Sequence, residues 1–409
     1  MRSAASTRRE EAWLVGGAVR DLLLGRPTSD LDVVVAGDAA EFADALAAKH
    51  GVTARRHARF GTATVTLSTG VRIDVVRPRR ETYERPGALP SVSFPATIEE
   101  DLFRRDFTIH AMAFPLRPPA RARLLDPFAG RADLAAGRIR VLHDRSFLDD
   151  PTRAYRAARY ASRLGFRLDP SAARLLRRAV AAGAVDAVSG DRLWRELALI
   201  VSEPARAASA ALVSRLGLDA AIVPALSRPG APARLRAAGA AASRLTEEGA
   251  GADPLCYLLA WMGDAPHESL AEAADRLALV GRALETWLAW PDTRARGERF
   301  AGLPAPERRR RLRGLSGDLA AAVAATLPAE DRAAWITAMR APRPELRIRG
   351  RDLVAAGVPP GPRVGEALAR TLEAREEGRI GADQELEFAL EAARHESAGS
   401  RRRAGDPAS

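Results

Sequence analysis

The chain runs to 409 residues, 47% of them hydrophobic but only 5% aromatic, enough for roughly two to four domains with cores built mainly from Ala, Leu and Val. Cys256 is the only cysteine, which excludes an internal disulfide and any cysteine-based metal cluster. Basic residues outnumber acidic ones by 63 to 52, a net charge of +11 that favours polyanionic partners such as nucleic acid.

No apolar run reaches the ~18 residues of a membrane span, and the polar start lacks a signal-peptide core, so a cytoplasmic protein with no membrane partner is expected. Residues 1–12 read as a disordered N-terminus. A short apolar strand at 12–15 is stopped by Gly16 and Gly17, and a helix over 18–24 ends near Gly25 and Pro27. In this turn the glycines let the backbone approach a phosphate, the helix start offers free N–H groups, and Arg20 adds a fork for phosphate oxygens. A plain tight turn is the other reading. Next, the run 31–35 reads as a strand carrying Asp30 and Asp32. Residues i and i+2 share a strand face, and two adjacent carboxylates repel unless a cation sits between them. Hard oxygen ligands suit Mg²⁺; a solvated strand edge is the alternative.

An alanine-rich helix is predicted over 39–49, then strands at 63–67 and 71–76 joined by a turn at 68–70. Asp74 in the second of these is either a third metal-facing carboxylate or an outward edge residue. Residues 77–96 lose periodicity and carry four prolines, which marks a functional loop or a disordered one. Residues 115–123 form another Pro/Arg-rich connection. From Phe147 onward the pattern is helical, with no strand expected and breaks at 229–232, 249–253, 304 and 342–344.

The helix opening at Pro151 has Asp149 and Asp150 where an N-cap belongs. Arg153, Arg156, Arg159 and Arg163 recur every three or four residues on one face, opposite Ala157, Ala161 and Leu164. Alone, that pattern fits a solvated amphipathic helix. Arg192, Trp194 and Glu196 read as pins between helices, and Arg308 to Arg311 with Arg313 as a solvated face or an RNA contact. The six histidines are scattered without metal spacing. Residues 396–409 look disordered.

Several stretches, taken together, resemble the DNA polymerase β-type nucleotidyltransferase superfamily. The string LVGGAVRDLLLGRPTSDLDVVV (14–35) is similar to the first motif of the bacterial tRNA nucleotidyltransferase and poly(A) polymerase family. The likeness continues at EEDLFRRDFTIHAMAF (99–114), DDPTRAYRAARYASRLGF (149–166) and SGDRLWREL (189–197), and more thinly at GRDLVAAGVPPGPRVGEAL (350–368).

The resemblance implies an α+β protein: a nucleotidyltransferase α/β head over 13–145, then a helical neck (146–215), body (216–340) and tRNA-binding tail (341–395). It implies that Asp30 and Asp32 are the catalytic metal ligands, and that Gly16, Gly17 and Arg20 meet the triphosphate. Arg104, Arg105 and Asp106 would bind ribose and phosphates. Asp149, Asp150 and Arg153 would read the base, supported by Arg156 and Arg159. The partners implied are ATP, CTP and the tRNA 3′ end and acceptor arm, with residues 77–96 repositioning the base-reading face. CCA addition is the activity expected; A-only addition, poly(A) synthesis, a small-molecule adenylyltransferase and an inactive RNA-binding protein are its rivals. Two departures stand out: His110 where the family has Asn, and Asp149 where many members have Glu.

Overall fold

In the computed structural model, residues 11–57, 61–116, 123–246, 253–342 and 344–401 are described. Residues 1–10, most of the connection at 115–123, most of the break at 249–253, and residues 402–409 lie outside them. Two compact units emerge, one of residues 1–232 with 268–281, the other of 233–267 with 282–409.

The first unit begins with strand β1 (Ala12–Val15), helix α1 (Gly17–Leu23), β2 (Asp30–Val35), α2 (Ala39–Lys49) and strands β3 (Ala54–His57), β4 (Thr62–Thr66) and β5 (Arg72–Val76). With β8 (Ala113–Pro115) they form one mixed sheet in the order β3-β4-β5-β2-β1-β8. Only β2 and β5 run parallel. The inner strands are valine-rich and buried, as expected of strands covered by a helix. Helix α2 seats Phe42 and Leu46 without exposure, and Asp38 caps it by accepting from the N–H groups of Ala40 and Glu41 at 2.8 and 3.0 Å.

The helix at 39–49 and the turn at 68–70 appear as expected, with Leu67 N–H donating to the Val71 carbonyl at 2.8 Å. Residues 77–96 are an ordered loop that includes a short hairpin of β6 (Arg80–Thr82) and β7 (Ser91–Ser93), with residues 83–90 between the strands. Its register places Glu81 opposite Val92. Strands β3 and β8 carried too little apolar alternation to be read from sequence.

Helix α3 (Ile98–Phe103) opens with a capping box in which Thr97 and Glu100 satisfy each other's backbone N–H groups. After α4 (Gly130–Ala135), strand β9 (Arg138–Ile139), helices α5 (Ser146–Asp149) and α6 (Thr152–Leu164), a two-residue strand β10 (Arg167–Leu168) pairs with β9 in parallel. That pair corrects the expectation of no strand beyond Phe147. Helices α7 (Pro170–Ala181), α8 (Gly190–Ser202) and α9 (Arg206–Arg215) follow. Buried Tyr155 ties α6 to this bundle by donating to the Leu218 carbonyl at 2.9 Å.

Beyond the first unit the elements are helical. Although aromatics are scarce overall, Trp261, Trp287, Trp290 and Trp335 are all fully buried in the second unit. Indole N–H groups there find carbonyls: Trp290 donates to Gly263 at 2.7 Å and Trp335 to Ala320 at 3.0 Å. The arginine run has partners within the chain. Arg308 donates to the Phe300 carbonyl, Arg310 and Arg311 pair with Glu307, and Arg313 pairs with Glu373 and Glu376. The last helix extends from Glu385 to Arg401, into the stretch expected to be disordered. No helix among the described residues is long and apolar enough to cross a membrane.

Because Phe42 is fully buried against the sheet, Phe42→Ala is expected to cost about 3–5 kcal/mol. The denaturant midpoint of the first unit's transition, followed by tryptophan or circular dichroism signals, measures it.

Candidate active site

Asp30 and Asp32 stand two residues apart on β2 and line one cavity of about 420 Å³ together with Gly16 and Gly17. The register explains the placement: Asp32 lies between Val15 of β1 and Asp74 of β5. Gly16, at φ +70°, is required by conformation, and any side chain there would also displace the Arg105 guanidinium. A Cβ there would lie 2.7 Å from Arg105 Nη1 and 3.2 Å from Asp32 Oδ2.

Burial, with Asp74 and Asp30 nearby, pushes the Asp32 carboxyl above its ordinary value, against the pull of Arg105 and Arg104. A hard divalent cation relieves that cost, so the acid pair fits such an ion. Asp74 is on the same row, but its Oδ1 accepts from Thr64 Oγ1 at 2.6 Å and its Oδ2 pairs with Arg72 at 3.0 Å. It does not line the cavity, and among the described residues no three His, Cys, Asp or Glu side chains gather for a metal.

Facing the acids is a wall of arginines, each held by a carboxylate. Asp101, wholly buried, binds Arg104 at 2.9 Å and Arg105 at 3.0 Å. Arg104 also pairs with Glu81 of the hairpin at 3.0 Å, while the buried Nε of Arg105 has no protein partner. Arg20 is buried, with Nε and Nη2 on Asp21 at 2.8 and 2.7 Å and Nη1 on His110 Nε2 at 2.6 Å.

An arginine can only donate, so His110 accepts at Nε2, and its Nδ1 donates to Asp106 Oδ1 at 2.8 Å. The imidazole therefore supplies a donor and an acceptor on opposite sides of one ring, as the neutral tautomer allows. Asp106 Oδ2 takes both Nε and Nη2 of Arg156, at 2.9 and 2.7 Å. Burial opposes the charge of Asp106, but Arg156 and His110 outweigh it and hold the carboxyl well below its ordinary range. Burial also lowers His110, against the pull of Asp106.

At the other end of the cavity lie Asp150 and Arg153. Asp150 Oδ1 takes three donors: Thr152 N–H at 3.1 Å, Thr152 Oγ1 at 2.6 Å and Arg192 Nη2 at 2.7 Å. Its Oδ2 accepts from none of the described residues. Arg153, almost fully buried, donates from Nη1 to Ser146 Oγ and from Nη2 to the Arg104 carbonyl, both at 2.8 Å. Tyr83 of the hairpin lies under it, ring centre 5.9 Å away.

Sequence reasoning missed two residues here, Tyr83 and Tyr160. Arg192, read as a pin between helices, also donates to the Gly87 carbonyl at 2.8 Å, so one guanidinium joins the hairpin tip to Asp150. Gly87 is needed there, at φ +71°, because a Cβ would come within 2.8 Å of Ala187 Cβ. Tyr160 lines the cavity and places its ring within 5.6 Å of the guanidinium carbons of Arg20, Arg156 and Arg159. Tyr83 shared no pattern with the acids, whereas Arg192 sat inside a recognisable string, SGDRLWREL. Two expected nucleotide contacts do not line the cavity: Arg159 turns to Glu203 at 3.3 Å, and Asp149 faces a separate pocket beside Arg145 and His143.

The profile of the poly(A) polymerase head domain matches residues 12–140. An A-adding tRNA nucleotidyltransferase of Geobacter sulfurreducens is 34% identical over 92% of this chain, which spans only 44% of that enzyme's length. A CC-adding tRNA nucleotidyltransferase of Deinococcus radiodurans is 36% identical over 93% of this chain and 89% of its own. The Thermotoga maritima CCA-adding enzyme solved with tRNA has 29% identity and a TM-score of 0.71, over 95% of this chain and 92% of that one.

A depressed histidine favours the fold fully above its unfolded value of 6.5, and that contribution is lost as pH falls below it. Wild-type stability should therefore fall between pH 7 and pH 5 more steeply than that of His110→Asn. Parallel urea-midpoint profiles of the two proteins would expose an error if they superpose.

Proposed function

The chain belongs to the bacterial tRNA nucleotidyltransferase and poly(A) polymerase family, and from that premise we propose that it extends tRNA 3′ ends without a template, building CCA from CTP and ATP. One observation carries this reading: the acid pair Asp30 and Asp32 lines the same cavity as Asp150 and Arg153.

In this reaction the 3′-hydroxyl oxygen of the RNA bonds to the α-phosphorus of the nucleotide, and the bond from that phosphorus to pyrophosphate breaks. Bound at Asp30 and Asp32, a divalent ion such as Mg²⁺ would lower the hydroxyl's pKa and stabilise the departing pyrophosphate. Arg105, with an unpartnered Nε and Nη1 against Gly16, faces the triphosphate. Arg20 and Asp106 act one step back, since Asp21, His110 and Arg156 occupy their forks. They hold the wall in place. The open Oδ2 of Asp150 accepts from the exocyclic amine of cytosine or adenine. Nη1 of Arg153 keeps a second hydrogen for a ring nitrogen or carbonyl oxygen, whereas Nη2 is shared between the Arg104 carbonyl and the Tyr83 hydroxyl. The helical tail at 341–395 holds the acceptor arm through shape and phosphate contacts; the Thermotoga maritima relative was solved with tRNA bound.

A second reading is addition of only part of the CCA end, favoured by the names of the A-adding and CC-adding relatives. Purified protein, Mg²⁺, labelled CTP or ATP and tRNA lacking its terminal residues discriminate the two. Three additions that then stop support CCA synthesis; incorporation of C alone or of A alone replaces it with the partial activity. Asp30→Ala is expected to lower transfer at least about a hundredfold, the scale of losing one charge-stabilising group, while tRNA binding by gel shift persists. Arg153→Ala should narrow the C-to-A preference by about fivefold to a hundredfold in single-nucleotide competition, and an unchanged ratio counts against its role in reading the base.

A further inference from the structure

Behind the candidate active site lies a second pocket, of about 800 Å³. Four side chains, Glu81, Tyr83, Arg104 and Arg153, border both cavities, so the partition is one layer of side chains thick. Three aromatic rings furnish the far side. Phe103, the last residue of α3, is 47% exposed, a large apolar area to leave in water. Its ring centre stands 5.8 Å from Phe128 and 5.4 Å from His143, with tilts of 40° and 39°. Carboxylates of Glu99, Glu100 and Asp149 rim the pocket, and Arg80 and Arg145 supply positive charge.

We propose that this pocket receives an unstacked base of the RNA strand, next to the terminal residue whose 3′-hydroxyl enters the first cavity. The inference rests on the activity proposed above. Three features select that occupant. An exposed aromatic ring flanked by two others is a stacking platform of the kind that binds single-stranded bases. Rim carboxylates accept from the exocyclic amines of C and A, and the arginines meet the strand's phosphates. The incoming nucleotide does not fit the place, because its triphosphate must lie beside Asp30 and Asp32, and neither lines this pocket. A strand that passes over the edge of the partition layer has its terminal residue in the first cavity and its adjacent base on the Phe103 side.

The test uses the full-length protein with Phe103→Ala and Phe103→Trp, and tRNA carrying 2-aminopurine at the residue before its 3′ end. Wild-type protein should quench the 2-aminopurine on binding. Phe103→Ala should abolish most of that quench and raise KM for tRNA about fivefold to a hundredfold, one stacked base being worth about 1–3 kcal/mol. KM for CTP and ATP should stay within about twofold, and Phe103→Trp should restore both readouts. Absence of quenching by wild-type protein overturns the proposal, whatever the variants do. So does an unchanged KM for tRNA, or a rise in KM for the mononucleotides instead, which would give the pocket to a free nucleotide. If wild-type protein quenches but transfers nothing, the activity reading fails while the pocket stands.

Discussion

Buried carboxylates that grip arginines are the interaction on which the site depends. Asp101 holds Arg104 and Arg105, Asp106 holds Arg156, and Asp21 holds Arg20. Removing one partner of such a buried pair leaves an unpaired charge, typically at a cost of about 3–5 kcal/mol. The pairs therefore do more than neutralise charge. They lock long, flexible side chains into one geometry, so that positive groups stand opposite Asp30 and Asp32 before any anion arrives.

The acid pair itself is a consequence of sheet register. Because β2 lies between β1 and β5, its inner half can be valine while Asp30 and Asp32 in its first half open onto the cavity. Asp32 pays for that position with a raised pKa, and Gly16 leaves it room. Electrostatic cost and close backbone approach thus meet at the same point, which is typical of sites prepared for a multivalent partner.

Beside Asp150, Arg192 makes two elements answer to one side chain. It saturates Asp150 Oδ1 along with Thr152, which leaves Oδ2 as the acceptor with a fixed direction. Its other contact, to the Gly87 carbonyl, makes the hairpin part of the same frame. The segment expected to be a loop is thus positioned by α8, more than a hundred residues later in the chain.

Local chemistry was enough to locate β1, α2, the turn after β4 and the Asp30–Asp32 face, because caps, turns and two-residue periodicity act over a few residues. It was also enough to mark the arginines of α6 as a set. The partners of those arginines were decided only by tertiary packing: Arg156 goes to Asp106, Arg159 to Glu203, and Arg153 to Ser146 and the Arg104 carbonyl. The same holds for His110 between Arg20 and Asp106, for Asp74 drawn to Thr64 and Arg72, and for Asp149 placed on the Phe103 side. Helical spacing says which side chains share a face, but a long charged side chain takes whichever acceptor folding brings within reach, and for Arg156 and Arg159 that acceptor lies 50 and 44 residues away.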